Sequence, residues 1–315
     1  MRVLVTGGAG FIGSNLCKKL LAQDDEIEVR VIDDLSSGSL ANLAELDVQF
    51  FNGSILDQEI LSTAAHGVDA IVHLAALGSV PRSISRPIPS HEANATGTLQ
   101  VLEAARANHS AHVVLASSSS VYGKNPTLPK VETLQCMPMS PYAVSKLATE
   151  QYALAYAECY DLPVLPFRFF NVFGPGQMAG HAYAAVIPVF LEAALTGRPL
   201  PVNGDGEQSR DFTYVGTVVD TIHAALTERI TGGPTNLAFG TRTTLNELIS
   251  MIEHHLGRPL DIVYRERRSG DVRHSQADNT LLRSTFPGIE PTSLDVGLSA
   301  TIDWMTRQLP TIPAS

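Results

Sequence analysis

The chain opens on "MRVLVTGGAGFIGSNL", a β-branched run that meets glycines at 7, 10 and 13 and passes directly into an apolar helical pattern. A strand, a glycine turn and a helix in so few residues force backbone against backbone, and each glycine has a task. Gly7 makes the tight turn, Gly10 lets backbone N–H groups approach a pyrophosphate, and Gly13 lets the helix pack closely on the strand. The next strand-like run, "EVRVID", ends at Asp33, twenty residues beyond Gly13. A carboxylate there accepts from both ribose hydroxyls of a dinucleotide, so the glycine pattern gains the context that makes it informative. The same carboxylate would repel a 2′-phosphate and no arginine stands beside it, which points to NAD rather than NADP.

The alternation continues through "VQFFNG", "AIVHLAA", "HVVLASS" and "LPVLPFRFFN", with helical patterns near 12–23, 91–108 and 142–160 between the runs. Strands separated by helices of that length give βαβ units and a parallel sheet. The expected class is α/β: a Rossmann doubly wound parallel sheet with a smaller α/β C-terminal lobe. The boundary falls near Asn171, after which Gly and Pro become frequent and arginines gather between 258 and 273. Residues 1–170 are read as the dinucleotide domain and 171–315 as the second lobe, with a segment near 210–228 returning to the first.

Composition narrows the functions. A net charge of −10 opposes sequence-independent nucleic-acid binding, which needs a basic face. The first residues carry neither a basic leader nor an apolar run of spanning length, so a cytoplasmic protein without a membrane segment is expected. Three cysteines, at 17, 136 and 159, are odd in number and lack CxxC spacing, which disfavours a disulfide framework or a zinc site. His254 and His255 lack ligand spacing, and no metal is expected.

Two further stretches carry chemistry. In "SPYAVSK", Ser140 is the expected N-cap and Pro141 the first helical residue, placing Tyr142 and Lys146 four apart on one helix face. In "VVLASSSSVYG", four serines close a buried strand. Alone, the first is a surface pair on an amphipathic helix and the second a turn or solvated loop. Beside a dinucleotide loop they read differently.

Taken together, "TGGAGFIG", "HLAA" at 73–76, "SSSSVYG", "YAVSK", "RFFNVFGPG" and "GDGEQSRDF" resemble the extended short-chain dehydrogenase/reductase family of NAD-dependent epimerases and dehydratases, over essentially the whole chain. The resemblance implies bound NAD and a C-terminal lobe holding a UDP-sugar. It implies Tyr142 as base, Lys146 as the cation that holds the nicotinamide ribose and stabilises the phenolate, and Ser118, with Ser119 beside it, as catalytic hydroxyls. For the cofactor it implies Gly7, Gly10, Phe11, Ile12 and Gly13; Asp33, Asp34, Ser36, Ser37 and Gly38; Ser54 and Ile55; Leu74, Ala75 and Ala76; and Phe169 and Val172, together with Tyr142 and Lys146. Ser54 departs from the acid usual at the adenine contact. For the substrate it implies Ser79, Ser118, Tyr142, Asn171, Ala185, Val186, Val202, Asn203, Arg210, Arg268, Asp271 and Ser275. The two arginines suit phosphate oxygens.

Sugar dehydratases of the family carry carboxylates where this chain has Ser119 and Ser120. Serine cannot supply the acid and base that eliminate water, so what remains is reversible oxidation at C4, a 4-epimerase whose NAD is regenerated in each turnover. The segments "AALGSVPRS", "AYAAVIP" and "GDVRHSQAD" are similar to bacterial UDP-N-acetylglucosamine and UDP-glucose 4-epimerases. Ser275 replaces a bulkier tyrosine and leaves room for a 2-acetamido group. UDP-glucuronate 4-epimerases are also similar, although Met178 falls where their loop carries an arginine and His181 is the one candidate cation there. A dehydratase, or a regulator that binds NAD without catalysis, stand as the other readings. The family further implies a homodimer built on the 91–108 and 142–160 helices.

Overall fold

The computed structural model describes residues 1–23, 26–179, 185–266 and 272–309. The first half runs β1 (Arg2–Thr6), α1 (Phe11–Gln23), β2 (Glu28–Asp33), β3 (Val48–Asn52), α2 (Gln58–Ala65) and β4 (Ala70–His73). It continues with the short α3 (Val80–Ser85) and α4 (Pro87–His91), a π turn at Glu92–Thr96, α5 (Gly97–Ala107), β5 (His112–Ser118), α6 (Pro141–Tyr160) and β6 (Val164–Phe169). The second half adds β7 (Asn171–Phe173), α7 (Val186–Leu195), β8 (Leu200–Asn203), β9 (Ser209–Arg210), β10 (Phe212–Tyr214) and α8 (Val215–Thr227). It closes with β11 (Thr235–Leu237), β12 (Thr243–Thr244), α9 (Leu245–Leu256), β13 (Ile262–Arg265), α10 (Thr280–Thr285) and α11 (Leu294–Gln308).

Seven strands form one parallel sheet in the order β11-β6-β5-β4-β1-β2-β3. Both faces are covered, so the central strands are apolar throughout rather than alternating: Val3, Leu4 and Val5 of β1 and Ile71 and Val72 of β4 are fully buried. One face packs under α1 and α8, the other under α2, α5 and α6. Strand order reverses between β1 and β4, and at that switch point the two connections leave on opposite sides. A crevice is thereby left at the carboxyl ends of the strands. Strand β11 extends the sheet beyond β6, a late contribution that the sequence pattern does not announce.

The second lobe has its own core, in which Phe190 and Leu191 of α7, Leu200 and Val202 of β8, Leu248 and Ile252 of α9 and Leu298 of α11 are buried together. A buried polar staple ties β10 to the segments around Gly240 and Ala277. Asp211, fully buried, accepts from the backbone N–H of Gly240 (3.1 Å) and Ala277 (3.0 Å) and from the Thr241 hydroxyl (2.9 Å). Its own carbonyl accepts from the Asn171 N–H at 3.1 Å and side-chain amide at 3.2 Å. Among the described residues no helix is long and apolar enough to cross a membrane.

Burial pushes the Asp211 carboxyl up to about 6, against the pull of those N–H and O–H donors. Since the folded value lies above the unfolded one, the stability this group contributes is full below about pH 4 and is lost as pH rises through about 6. Asp211→Asn removes that dependence, so the wild-type advantage in melting temperature over the variant should shrink steadily from pH 4 to pH 7. A constant difference across the range would contradict the assignment.

Candidate functional site

The crevice is a cleft of about 1270 Å³ running from the glycine loop to the second lobe. At one end, Gly7 sits at φ +71° between β1 and the turn, where an added Cβ would lie 2.7 Å from the Ala75 backbone nitrogen. A Cβ on Gly13 would lie 2.3 Å from the Gly7 carbonyl oxygen and 2.6 Å from the Gly8 Cα. Nothing larger than glycine fits, because the neighbours are backbone. The turn is locked to β2 by the Asp33 carboxylate, which accepts from Ala9 N–H at 3.0 Å and Leu35 N–H at 2.8 Å, and by the Gly7 N–H on the Ile32 carbonyl at 2.8 Å. Burial raises the Asp33 carboxyl while the two N–H donors lower it. Above the turn lies the first turn of α1, whose N–H groups have no partner within the helix and favour an anion. A cradle that only glycine fills, a helix N-terminus and a buried carboxylate at the end of β2 together fit a dinucleotide.

Every cofactor residue expected from the sequence lines this cleft: Gly7 to Gly13 in the loop, Asp33 to Gly38 beyond β2, Ser54 and Ile55 beyond β3, Leu74 to Ala76 beyond β4, and Phe169 and Val172 around β6. Apart from Tyr142 and Lys146, which line it from α6, these lie at strand carboxyl ends or just after them, as the switch point dictates.

The reactive group is built by docking α6 on β5. Ser140 caps the helix, its Oγ accepting from Ala143 N–H at 3.1 Å, and Pro141 opens it. The helix then buries a polar stripe, Ser145, Lys146, Thr149 and Glu150, alongside Ala143, Ala153 and Tyr156. The Lys146 Nζ donates to the Ala116 carbonyl at 2.8 Å, and the Ser117 hydroxyl donates to the Glu150 carboxylate. Glu150 in turn holds Arg168 of β6 through two bonds, Nε at 3.0 Å and Nη2 at 2.8 Å, with both side chains buried. Arg168 also donates to the Tyr122 hydroxyl at 2.9 Å, which donates to Asn236 of β11 at 2.7 Å.

Burial pushes the Lys146 ammonium down to about 8, while the Glu150 carboxylate pulls it up. Burial raises the Tyr142 phenol, and a hydrogen bond with Ser118 opposes the rise. His73, held between Thr6 (2.8 Å) and Thr98 (3.1 Å), is pushed down to about 3 by burial and by Lys146, so it is neutral and takes no charge from the site. The arrangement is a phenol, a hydroxyl and a buried cation at the mouth of a dinucleotide cradle. It can move one proton reversibly.

Of the substrate residues, Ser79, Ser118, Tyr142, Asn171, Ala185, Val186, Asn203 and Arg210 line the cleft. Val202 does not, because alternation along β8 turns its side chain into the core of the second lobe. Ser275 is buried outside the lining, its N–H on the Ser209 carbonyl at 3.1 Å, and Ser119 opens a 3₁₀ turn beside the lining rather than in it. Arg268, Asp271 and His181 lie outside the described residues.

Sequence reasoning missed Glu150 and Arg168, although Glu150 continues the spacing Tyr142, Lys146 by four more residues and so lies on the same face. It also missed Arg82 and Gln208, which lie inside the quoted segments "AALGSVPRS" and "GDGEQSRDF", and Leu245 and Trp304, which line the cleft from helices with no recognisable motif.

Gly13→Ala should lower stability by about 1–3 kcal/mol, the cost of overpacking against a neighbour that cannot yield, and should strip the dinucleotide from the purified protein. Thermal melting together with cofactor content after acid release checks both parts.

The sequence pattern of the NAD dependent epimerase/dehydratase family matches residues 3–238. A UDP-glucose 4-epimerase of Mycolicibacterium smegmatis is 37% identical over 98% of this chain and 99% of its own length. Among solved structures, a UDP-N-acetylglucosamine 4-epimerase of Methanobrevibacter ruminantium, in complex with UDP-N-acetylmuramic acid, superposes with a TM-score of 0.92 at 36% identity, covering 98% of this chain and 99% of that one. A UDP-glucuronic acid 4-epimerase of Bacillus cereus, in complex with UDP-glucuronic acid and NAD, superposes with a TM-score of 0.91 at 30% identity, covering 98% and 100%.

Proposed function

The chain belongs to the NAD dependent epimerase/dehydratase family, and we propose that it is a UDP-sugar 4-epimerase interconverting UDP-Glc and UDP-GlcNAc with UDP-Gal and UDP-GalNAc. One observation carries the reading. Tyr142 and Lys146 are docked against Ser118 at the dinucleotide cradle, and the positions that would need carboxylates for loss of water are Ser119 and Ser120. Such a site moves a proton on and off one oxygen, and serines at 119 and 120 put no carboxylate next to Ser118 in the chain.

NAD, when bound, supplies a hydride acceptor for C4 and returns the hydride, so no net oxidation remains. The protein's own part is proton transfer and orientation. Tyr142 takes the proton of the 4-hydroxyl, and Ser118 donates a hydrogen bond to the same oxygen as it becomes a carbonyl. Lys146 remains charged below about pH 8 and lowers the cost of the phenolate. Gly7 to Gly13 and Asp33 would hold the pyrophosphate and adenine ribose, while Arg210, which lines the cleft, would meet the UDP diphosphate. Inversion requires the ring to present both faces at C4, and the small cleft side chains Ala76, Ser79 and Ala185 leave space for that. A UDP-glucuronate 4-epimerase is the second reading, favoured by the close superposition on the Bacillus cereus enzyme.

The free cysteines Cys17, Cys136 and Cys159 suit a reducing compartment, and the reading places the protein in the cytoplasm. It also includes a homodimer. Val144, Tyr152 and Tyr160 of α6 and Ile88 of α4 are exposed, which supports pairing of this helical face with its copy in a second chain.

Tyr142→Phe should cut turnover by about 10²–10⁴-fold while NAD stays bound. The assay is C4 inversion of UDP-Glc, UDP-GlcNAc and UDP-GlcA by NMR, with NADH absorbance recorded in the same samples; net NADH, or loss of water, would overturn the proposal. Tyr152→Glu should convert a dimer to a monomer in light scattering, and an unchanged mass would remove this face as the interface.

A further inference from the structure

Ser118 has one O–H to donate and two lone-pair positions to accept with. Both acceptor positions are taken by a single residue: Ser120 donates its backbone N–H at 3.2 Å and its hydroxyl at 2.9 Å to the Ser118 Oγ. The N–H bond comes with the 3₁₀ turn, Ser119–Tyr122, of which Ser118 is the N-cap, and any residue at 120 would make it. The hydroxyl bond does not. It is specific to a side chain that carries a donor.

We propose that Ser120 is a positioning residue that fills the second acceptor site of Ser118, so that the Ser118 hydroxyl points into the cleft as a fixed hydrogen-bond donor to the reacting oxygen. The inference rests on the epimerase reading above and explains why the run extends to a fourth serine. Ser117 serves Glu150, Ser118 faces Tyr142, and Ser120 stands behind Ser118 without lining the cleft itself.

The consequence is one of polarity. A free serine hydroxyl rotates among three staggered positions. It can either donate to the Tyr142 oxygen or accept the Tyr142 proton. Accepting holds the proton on the phenol, whereas donating favours the phenolate and later steadies the C4 oxygen. With both lone-pair positions satisfied from behind, only donation remains. A carboxylate at position 120 would do the reverse, accepting the Ser118 proton and turning it away from the cleft.

The test compares wild type, Ser120→Ala, Ser120→Thr and Ser120→Asp as purified NAD-containing protein. Two quantities are read: kcat and KM for whichever of UDP-Glc, UDP-GlcNAc and UDP-GlcA turns over, and the phenolate titration of Tyr142 by ultraviolet difference absorbance with Tyr142→Phe as blank. Ser120→Ala should lower kcat about two- to tenfold, the worth of one neutral hydrogen bond, with KM within about twofold. Its Tyr142 titration should move up by about half a unit to one unit. Threonine, which keeps the hydroxyl, should restore both values, and aspartate should fall below alanine. Wild-type kcat and titration in Ser120→Ala would overturn the inference, as would Ser120→Thr as impaired as Ser120→Ala. If the wild type turns over none of the three sugars, the epimerase reading fails while the phenolate titration still decides what Ser120 does.

Discussion

The buried ion pair between Glu150 and Arg168 fixes everything at the reactive end of the cleft. It ties α6 to β6, and through the Ser117 hydroxyl and the Lys146 ammonium on the Ala116 carbonyl it sets the helix against the carboxyl end of β5. Two charges removed from water cost several kcal/mol each, and the pair recovers this only because its remaining polar atoms are bonded, to Ser117 on one side and to Tyr122 and the Glu132 carbonyl on the other. An apolar contact of the same volume would hold the helix as firmly. It would leave Lys146 without a carboxylate to keep it charged.

That choice accounts for the polar stripe buried along α6. A core helix ordinarily turns its apolar face inward, yet here Ser145, Lys146, Thr149 and Glu150 are buried, while Val144 and Tyr152 face outward. The inward groups bond to one another's neighbours: Asn94 of the π turn donates to the Ser145 hydroxyl at 2.9 Å, and Thr98 meets Thr149 at 3.1 Å. The π turn widens the helix locally and so brings the Asn94 side chain within reach of both Ser145 and the Leu77 backbone. The orientation of Tyr142 and Lys146 is therefore paid for across several elements, each of which would be easier to bury as hydrocarbon.

The two ends of the cleft follow different physics. At the cofactor end the geometry is backbone on backbone, and the sequence shows it as glycines whose replacement meets carbonyl and amide atoms. At the substrate end the wall is a collection of side chains from α7, β8, α9 and α11, held by the core of the second lobe and by the Asp211 staple. Such a wall can change residue by residue without changing the fold.

Legibility divides along the same line. The glycine loop, Asp33, the capped helix carrying Tyr142 and Lys146, and the parallel α/β sheet were set by local rules: φ above zero, a helix period, a strand followed by a turn. Those rules act between residues near in sequence, and the chain alone determined them. The placement of Val202 and Ser275 out of the cleft, the Glu150–Arg168 pair, the arrival of β11 from residues 235–237 and of Trp304 from the C-terminal helix were decided only by tertiary structure. Each depends on which face of an element meets another element far along the chain. No spacing within either segment encodes that meeting, because it is fixed by the packing of whole layers and by the need to satisfy every polar group buried between them.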